Sequence, residues 1–445
     1  MVMAFRLPTP TKAIEQFRSV FSRFPATVIT TLVAMVLVLF LIEVDSHDAV
    51  YFEKVLRAVF VLSLGVFMFT ALRLLGDKNP LCIVGIVALV GYYLILPNMK
   101  DVPSGMVFMR HFFLILAFFI MIWWAPFWKS NPDNRLFWEY NQQVVFGFLT
   151  SIVFTIVLYA GLSGALYALD SLFSLDIAPK RYGQLWVLTI GLFGVPYFLA
   201  QIPKDTKDLM PHTYTKVETI FTKYLLTPLV IGYFVILYAY TLKILVTQSW
   251  PKGILAWIII AFSAVAITAY LFWTPIWSEK TKRYKRFFAL ALWLQTIMLA
   301  AALWMRIHAY GWTESRYMVA LLGAWLFAIS LYFLLFKGAR YKWMFVSLSL
   351  LIMMSQIGPF SAYAIGKKSQ QQRLQEILST HQPLSSKTPR KIRYEISDKL
   401  QYLATHFGVE SLEDIVPDIV KKFHETYPER KYHREYAFAS FATKE

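Results

Sequence analysis

The sequence predicts an all-α fold: a polytopic transmembrane helical bundle of about eleven spans, followed by a small, mainly helical soluble domain. Three observations predict it. Hydrophobic residues make up 57% of the 445 residues and charged residues only 16%, whereas soluble domains are roughly a quarter charged. Apolar runs of about 20 residues, the length needed to cross a bilayer, recur along most of the chain. Lys and Arg gather in the short connections between those runs until residue 361, where charge rises and the long runs stop.

In residues 1–24, Ile14, Phe17, Phe21 and Phe24 recur at helical spacing beside Lys12, Arg18 and Arg23. This is the pattern of an amphipathic helix lying on an anionic cytoplasmic leaflet. The first apolar run begins near Pro25 with no small-residue cleavage site after it, so it reads as a retained span. The transmembrane domain covers 25–360, with spans at 25–42, 53–75, 80–97, 106–127, 144–173, 184–202, 224–246, 253–275, 287–305, 316–336 and 343–360. The fifth is long enough to tilt or to continue beyond the bilayer. Pro126, Pro196, Pro228 and Pro275 fall near inner ends of spans and are read as shaping those ends. Trp123, Trp124, Trp128, Trp273 and Trp277 read as interfacial belt residues. Gly191, Gly194 and Pro196 give the sixth span the means to bend.

Sidedness follows from the connections. With a cytoplasmic N-terminus, the inside segments hold twenty Lys and Arg and the outside ends nine, the bias of the positive-inside rule. The expected location is the inner membrane of a bacterium. Eleven spans then place residues 361–445 on the periplasmic side. Within that domain, 367–378 reads as a Gln-rich helix and Pro383 to Arg390 as a linker. Ser397 is expected to cap a helix ending near Gly408, and Ser411 with Asp414 to open another. So small a domain buries a modest core, which suggests support from the membrane part or from an envelope partner.

Several function classes are excluded. The net charge of +17 is dispersed in loops without any nucleic-acid-binding motif, so no nucleic-acid partner is expected. No P-loop or HExxH zinc motif occurs. Gly161 to Ala165 lacks the last glycine of a nucleophile elbow. The eight histidines are scattered and Cys82 is the only cysteine, so no metal, cofactor or disulfide is expected and no catalytic residue is assigned.

Ionisable groups bordering spans are expensive and often functional. Asp170, Lys243, Arg306 and Arg316 fall by span parity at one outer face, where Arg110 and His111 could join them. A planar guanidinium matches phosphate or carboxylate, so these groups read as an anion or lipid head-group site. The bland alternative is snorkelling basic side chains with Asp170 paired to one of them. Span five adds a stripe, Ser151, Thr155, Tyr159, Ser163 and Tyr167, on one helix face. Such a face must meet other helices or a water-filled path. Beside it, Ala160, Gly164 and Ala168 permit close helix approach.

The run from Arg306 through Ile307, Tyr310, Gly311 and Thr313 to Arg316 and Tyr317 resembles the "RI..YG.T..RY" signature of a bacterial membrane family. That family is domain of unknown function 4153. Residues 134–140 (NRLFWEY), 227–240 (TPLVIGYFVILYAY) and Gly358-Pro359 with Ser361-Ala362 are similar as well. The resemblance covers roughly 130 to 380. It implies a multi-spanning membrane protein of unknown biochemistry and no catalytic assignment. From its residues the sequence reads as a non-enzymatic envelope protein that binds an anionic membrane lipid or an envelope partner near the outer face, with a transporter or lipid-handling protein using span five as the alternative.

Overall fold

A computed structural model describes residues 10–44, 50–76, 79–96, 104–206, 214–247, 254–277, 282–381, 389–426 and 438. Most of the expected linker, residues 383–388, lies outside them, as do the side chains of Lys12, Ile14 and Phe17. Among the described residues there are helices and no strands. The helices are α1 (Pro10–Arg23), α2 (Pro25–Glu43), α3 (Val50–Leu75), α4 (Asn79–Ile95), α5 (Ser104–Trp124), α6 (Asn134–Phe173) and α7 (Lys180–Gln201). They continue with α8 (Lys216–Thr247), α9 (Ile254–Phe272), α10 (Lys282–Tyr310), α11 (Glu314–Leu335) and α12 (Tyr341–Gln356). The C-terminal helices are α13 (Ala362–Thr380), α14 (Arg390–Phe407) and α15 (Pro417–Thr426).

Each of the eleven apolar segments is helical. Eight of the described helices are long and apolar enough to cross a membrane. Helices α4 and α9 add two shorter apolar helices, and α12 a third of 16 residues. Large side chains such as Ile83, Val87 and Leu94 on α4, or Val235, Ile236 and Leu242 on α8, are exposed. A water-soluble protein would aggregate through such faces, and lipid covers them without penalty. The chain is a multi-pass helical membrane protein.

It divides into two compact units. The first comprises 1–98, 114–212 and 340–349. There α3 packs between α2 and α4 around Val61, Leu64, Met68, Phe69 and Leu89. The 134–140 stretch anchors the start of α6. Asn134 Oδ1 accepts the Tyr341 N–H at 2.9 Å, the buried Tyr140 hydroxyl donates to the Ile122 carbonyl at 3.2 Å, and Glu139 pairs with Arg135 at 2.9 Å. Lys342, buried, donates to the Phe127 and Ser130 carbonyls. The ammonium thus caps carbonyls at and just after the 3₁₀ turn that follows α5.

The second unit comprises 99–113, 213–339 and 350–445. Its membrane core gathers Phe234, Ile259, Phe262, Met298, Leu299 and Val319 from α8 to α11. A separate core of Leu374, Leu400, Leu403, Leu412 and Phe423 joins α13, α14 and α15.

Local expectations change in four places. Pro126 and Pro275 sit in 3₁₀ turns at helix ends, but Pro196 and Pro228 follow π turns inside α7 (Ile190–Gly194) and α8 (Phe221–Leu226). A proline lacks the N–H that an α turn requires, and a widened turn accommodates the loss. Trp124 is a core residue rather than a belt residue, donating to Ser349 Oγ at 2.9 Å. Helix α14 begins at Arg390, so Ser397 lies inside it and not at its cap. Ser411 lies inside a short 3₁₀ turn, Val409–Leu412, and α15 starts only at Pro417, where proline's fixed φ suits a first helical turn.

Candidate functional site

In the second unit the signature run forms the turn between α10 and α11. Tyr310 ends α10. Gly311 follows at φ +72°, the left-handed conformation that ends helices and favours glycine. Thr313 caps α11, its hydroxyl accepting the Arg316 N–H at 3.4 Å.

The end of α10 exposes carbonyls with no intrahelical donor, and polar side chains supply the donors. Arg316 Nη1 donates to the Tyr310 and Gly311 carbonyls at 3.2 and 2.8 Å, with its guanidinium 5.5 Å from the centre of the Tyr310 ring. Gln370 on α13 donates to the carbonyls of Tyr310 at 3.2 Å and Trp312 at 2.7 Å. Arg373 donates to those of His308 and Ala309. Ser369 accepts the Trp312 N–H at 3.0 Å. Tyr317 ties α11 to the Phe360 carbonyl at 2.7 Å.

Helix α14 closes over the same turn. The Tyr402 hydroxyl donates to Glu314 Oε2, and His406 Nδ1 lies 3.7 Å from the other Glu314 oxygen. Burial, and then the Glu314 charge, push the Tyr402 phenol well above its usual range. Burial pushes Tyr363 up to about 12, with Arg110 opposing and Glu314 reinforcing the shift. Lys399, buried, donates to Gln370 Oε1 at 3.3 Å; burial holds its ammonium below the usual lysine range.

Of the expected head-group residues, Arg306 and Arg316 come within electrostatic range at the turn, and Arg110 lies against Tyr363 on α13. Arg110, near the start of α5, lies 4.6 Å over the Tyr363 ring. Its Nε is buried without a hydrogen-bond partner among the described residues. Arg306 is within electrostatic range of Arg316, and among the described residues its guanidinium takes no hydrogen bond or ion pair. Lys243 is exposed near the end of α8. Asp170 belongs to the first unit, where its carboxylate accepts the Ile177 N–H at 2.9 Å. It thereby closes a turn through Ser174 and Asp176, both at positive φ.

The stripe also belongs to the first unit and divides along α6. Ser151 donates to the Gly194 carbonyl at the π turn of α7, 2.7 Å away, and Thr155 donates to the Ser151 carbonyl. A Cβ on Gly194 would lie 2.7 Å from Thr155 Oγ1, so glycine is needed for this close approach. Tyr159 packs edge-on against Trp186 at 4.8 Å. Ser163 Oγ is buried without a partner, and Tyr167 is 65% exposed. Ala160, Gly164 and Ala168 lie on an exposed face.

Sequence reasoning missed Glu314, Gln370, Arg373 and Tyr402. An acid at the first position of a helix is ordinarily a dipole partner, and the groups that show otherwise lie some 60 to 90 residues away.

The chain belongs to the family described as Domain of unknown function (DUF4153), whose model matches residues 56–385. The match begins well before residue 130, so the membership takes in α3 and α4 as well as the signature turn. It ends before α14. The chain is also 26% identical over 272 residues to an uncharacterized protein of Pasteurella multocida. That alignment takes in 60% of this chain but 45% of the relative, so the chain spans less than half the length of the curated relative it matches. No solved structure matches the chain.

Proposed function

We propose that this is a non-enzymatic envelope protein of a bacterial inner membrane that holds an anionic lipid head group at the α10–α11 turn through Arg110, Arg306 and Arg316. In this reading the N-terminus is cytoplasmic, all eleven apolar helices cross the bilayer, and residues 361–445 form a soluble domain docked on the turn from the periplasmic side. One observation carries the site: among the described residues Arg110 has a buried Nε without an acceptor, and Arg306, within electrostatic range of Arg316, has no partner for its guanidinium. A buried N–H left without an acceptor is costly. The acid within range, Glu314, already accepts from Tyr402. A phosphate would supply the missing acceptors with bidentate geometry. The inner half of the α6 stripe is engaged in packing against α7, which favours this reading over transport along α6.

The test is the affinity of the purified protein for phosphatidylglycerol against phosphatidylcholine vesicles. Arg306→Gln should weaken the preference about fivefold, from roughly 1 kcal/mol per basic residue near a membrane surface. Arg110→Gln should weaken it further, with the fold intact by circular dichroism. An unchanged preference in the double variant would remove the site.

A further inference from the structure

We propose that the first turns of α14 are a membrane-docking surface: Arg390, Lys391 and Arg393 rest on anionic head groups of the bilayer that the chain itself spans, with the Tyr394 ring set among them. The geometry starts at the α10–α11 turn. A Cβ on Gly366 would lie 3.2 Å from the Glu314 amide nitrogen, so its absence lets α13 rest on the start of α11. Further along α13, Gln370 meets Tyr310 and Trp312, and Arg373 meets His308 and Ala309. From Gly366 to Arg373 is about 10 Å of helix, the separation of two packed helix axes. Helix α13 therefore crosses the adjacent ends of α11 and α10 in turn, which lays it along the bilayer surface instead of upright from it.

Helix α14 runs back along α13 in the same layer. Tyr402 reaches Glu314, Lys399 reaches Gln370, Glu395 lies 3.9 Å from Arg373, and Ile392 joins Ile377 in one core. The first turns of α14 thus extend past the end of α10, where Trp304 and Tyr310 are exposed, as aromatic residues at head-group level are. There Arg390, Lys391 and Arg393 are all exposed, and among the described residues their side chains take no ion pair or hydrogen bond. Glu395, the acid of the same stretch, faces Arg373 and Lys399 instead, and Asp398 comes about one turn later. The three like charges crowd one another at the positive end of the helix dipole, an arrangement that an anionic surface relieves. Tyr394, 74% exposed, adds a ring with an apolar body and a polar tip, suited to a membrane interface. A patch of three basic residues and one ring is small for a stable protein partner, which covers about 800 Å² on each side, whereas the bilayer is already alongside.

The experiment is amide exchange of the full chain in phosphatidylglycerol and in phosphatidylcholine nanodiscs. The amides of residues 393–396 should exchange about fivefold more slowly in phosphatidylglycerol, the effect of even one basic residue at an anionic surface. The difference should shrink in about 1 M salt, where the screening length falls to about 3 Å. The triple variant Arg390→Gln, Lys391→Gln and Arg393→Gln should lose it, with unchanged exchange at Leu400 and Leu403 showing that the domain core is intact. A nitroxide on Tyr394→Cys, in a Cys82→Ser background, reads the position directly with the basic residues in place, and its oxygen and nickel-chelate accessibilities should place it at head-group depth. Equal exchange in the two lipids, or a label in bulk water, would overturn the surface and leave an acidic protein partner as the occupant of the patch. Arg306→Gln should not alter the protection, so this surface and the head-group site at the α10–α11 turn stand or fall separately.

Discussion

Glu314 shows how much a single side chain can hold. Its carboxylate is 16% exposed and joins the start of α11 to α14 through Tyr402. Hydrogen bonds to charged groups contribute about 1.5–3 kcal/mol. Tyr402→Phe should therefore lower unfolding stability by about that amount, and Glu314→Gln should then add little in the double variant. Additive losses would mean that the pair is not coupled. The phenol also has a sign in pH. Its folded pKa is raised, so its contribution is fully present below the ordinary tyrosine value of about 10 and is lost as pH rises through the folded value. Amide exchange in α14 should be flat from neutral pH to about 10, after correction for the intrinsic rate, and accelerate above. Gln295 makes the opposite case. It is 1% exposed in the membrane core of α10, and neither amide atom has a partner among the described residues. Gln295→Leu should raise thermal stability by about 1–3 kcal/mol; a destabilised variant would show that the amide is engaged.

At the scale of elements, hydrophobic run length was the legible signal. Every apolar segment became a helix, because in lipid the backbone has no other way to satisfy its own groups. Boundaries and irregularities were less legible. The π turns before Pro196 and Pro228 depend on what α7 and α8 pack against, as with Ser151 donating to Gly194. The Ser411–Asp414 capping pattern was outweighed by Pro417, which starts α15 instead. The α10–α11 turn was read for its charges, yet Tyr310, Gly311 and Thr313 serve as helix-terminating and helix-starting residues. Gly311→Ala tests that assignment. Its Cβ would sit at positive φ, 3.1 Å from Gln370 Nε2 and from Ser369 Oγ. The strain of about 1–2 kcal/mol should loosen α13 from the turn, with faster exchange at the Trp312 amide. Wild-type exchange there would contradict the capping role.

At the scale of the whole molecule, hydropathy gave the membrane class and the family signature pointed to the turn. The site was half legible. Span parity gathered Arg306 and Arg316, which lie within electrostatic range at the turn, but also Arg110, which stacks on Tyr363, Lys243, exposed on α8, and Asp170, which closes a turn in the first unit. Parity fixes which end of a span a residue occupies but not which helix it faces. Nor could local sequence disclose that α14, which lies beyond the family match at residue 385, closes over a turn inside that match. The most direct measurement is a density map of the protein in phosphatidylglycerol nanodiscs. The account predicts phosphate-shaped density within hydrogen-bond reach of Arg110 and Arg306. Both guanidiniums paired instead to protein carboxylates, with no lipid density beside them, would contradict it.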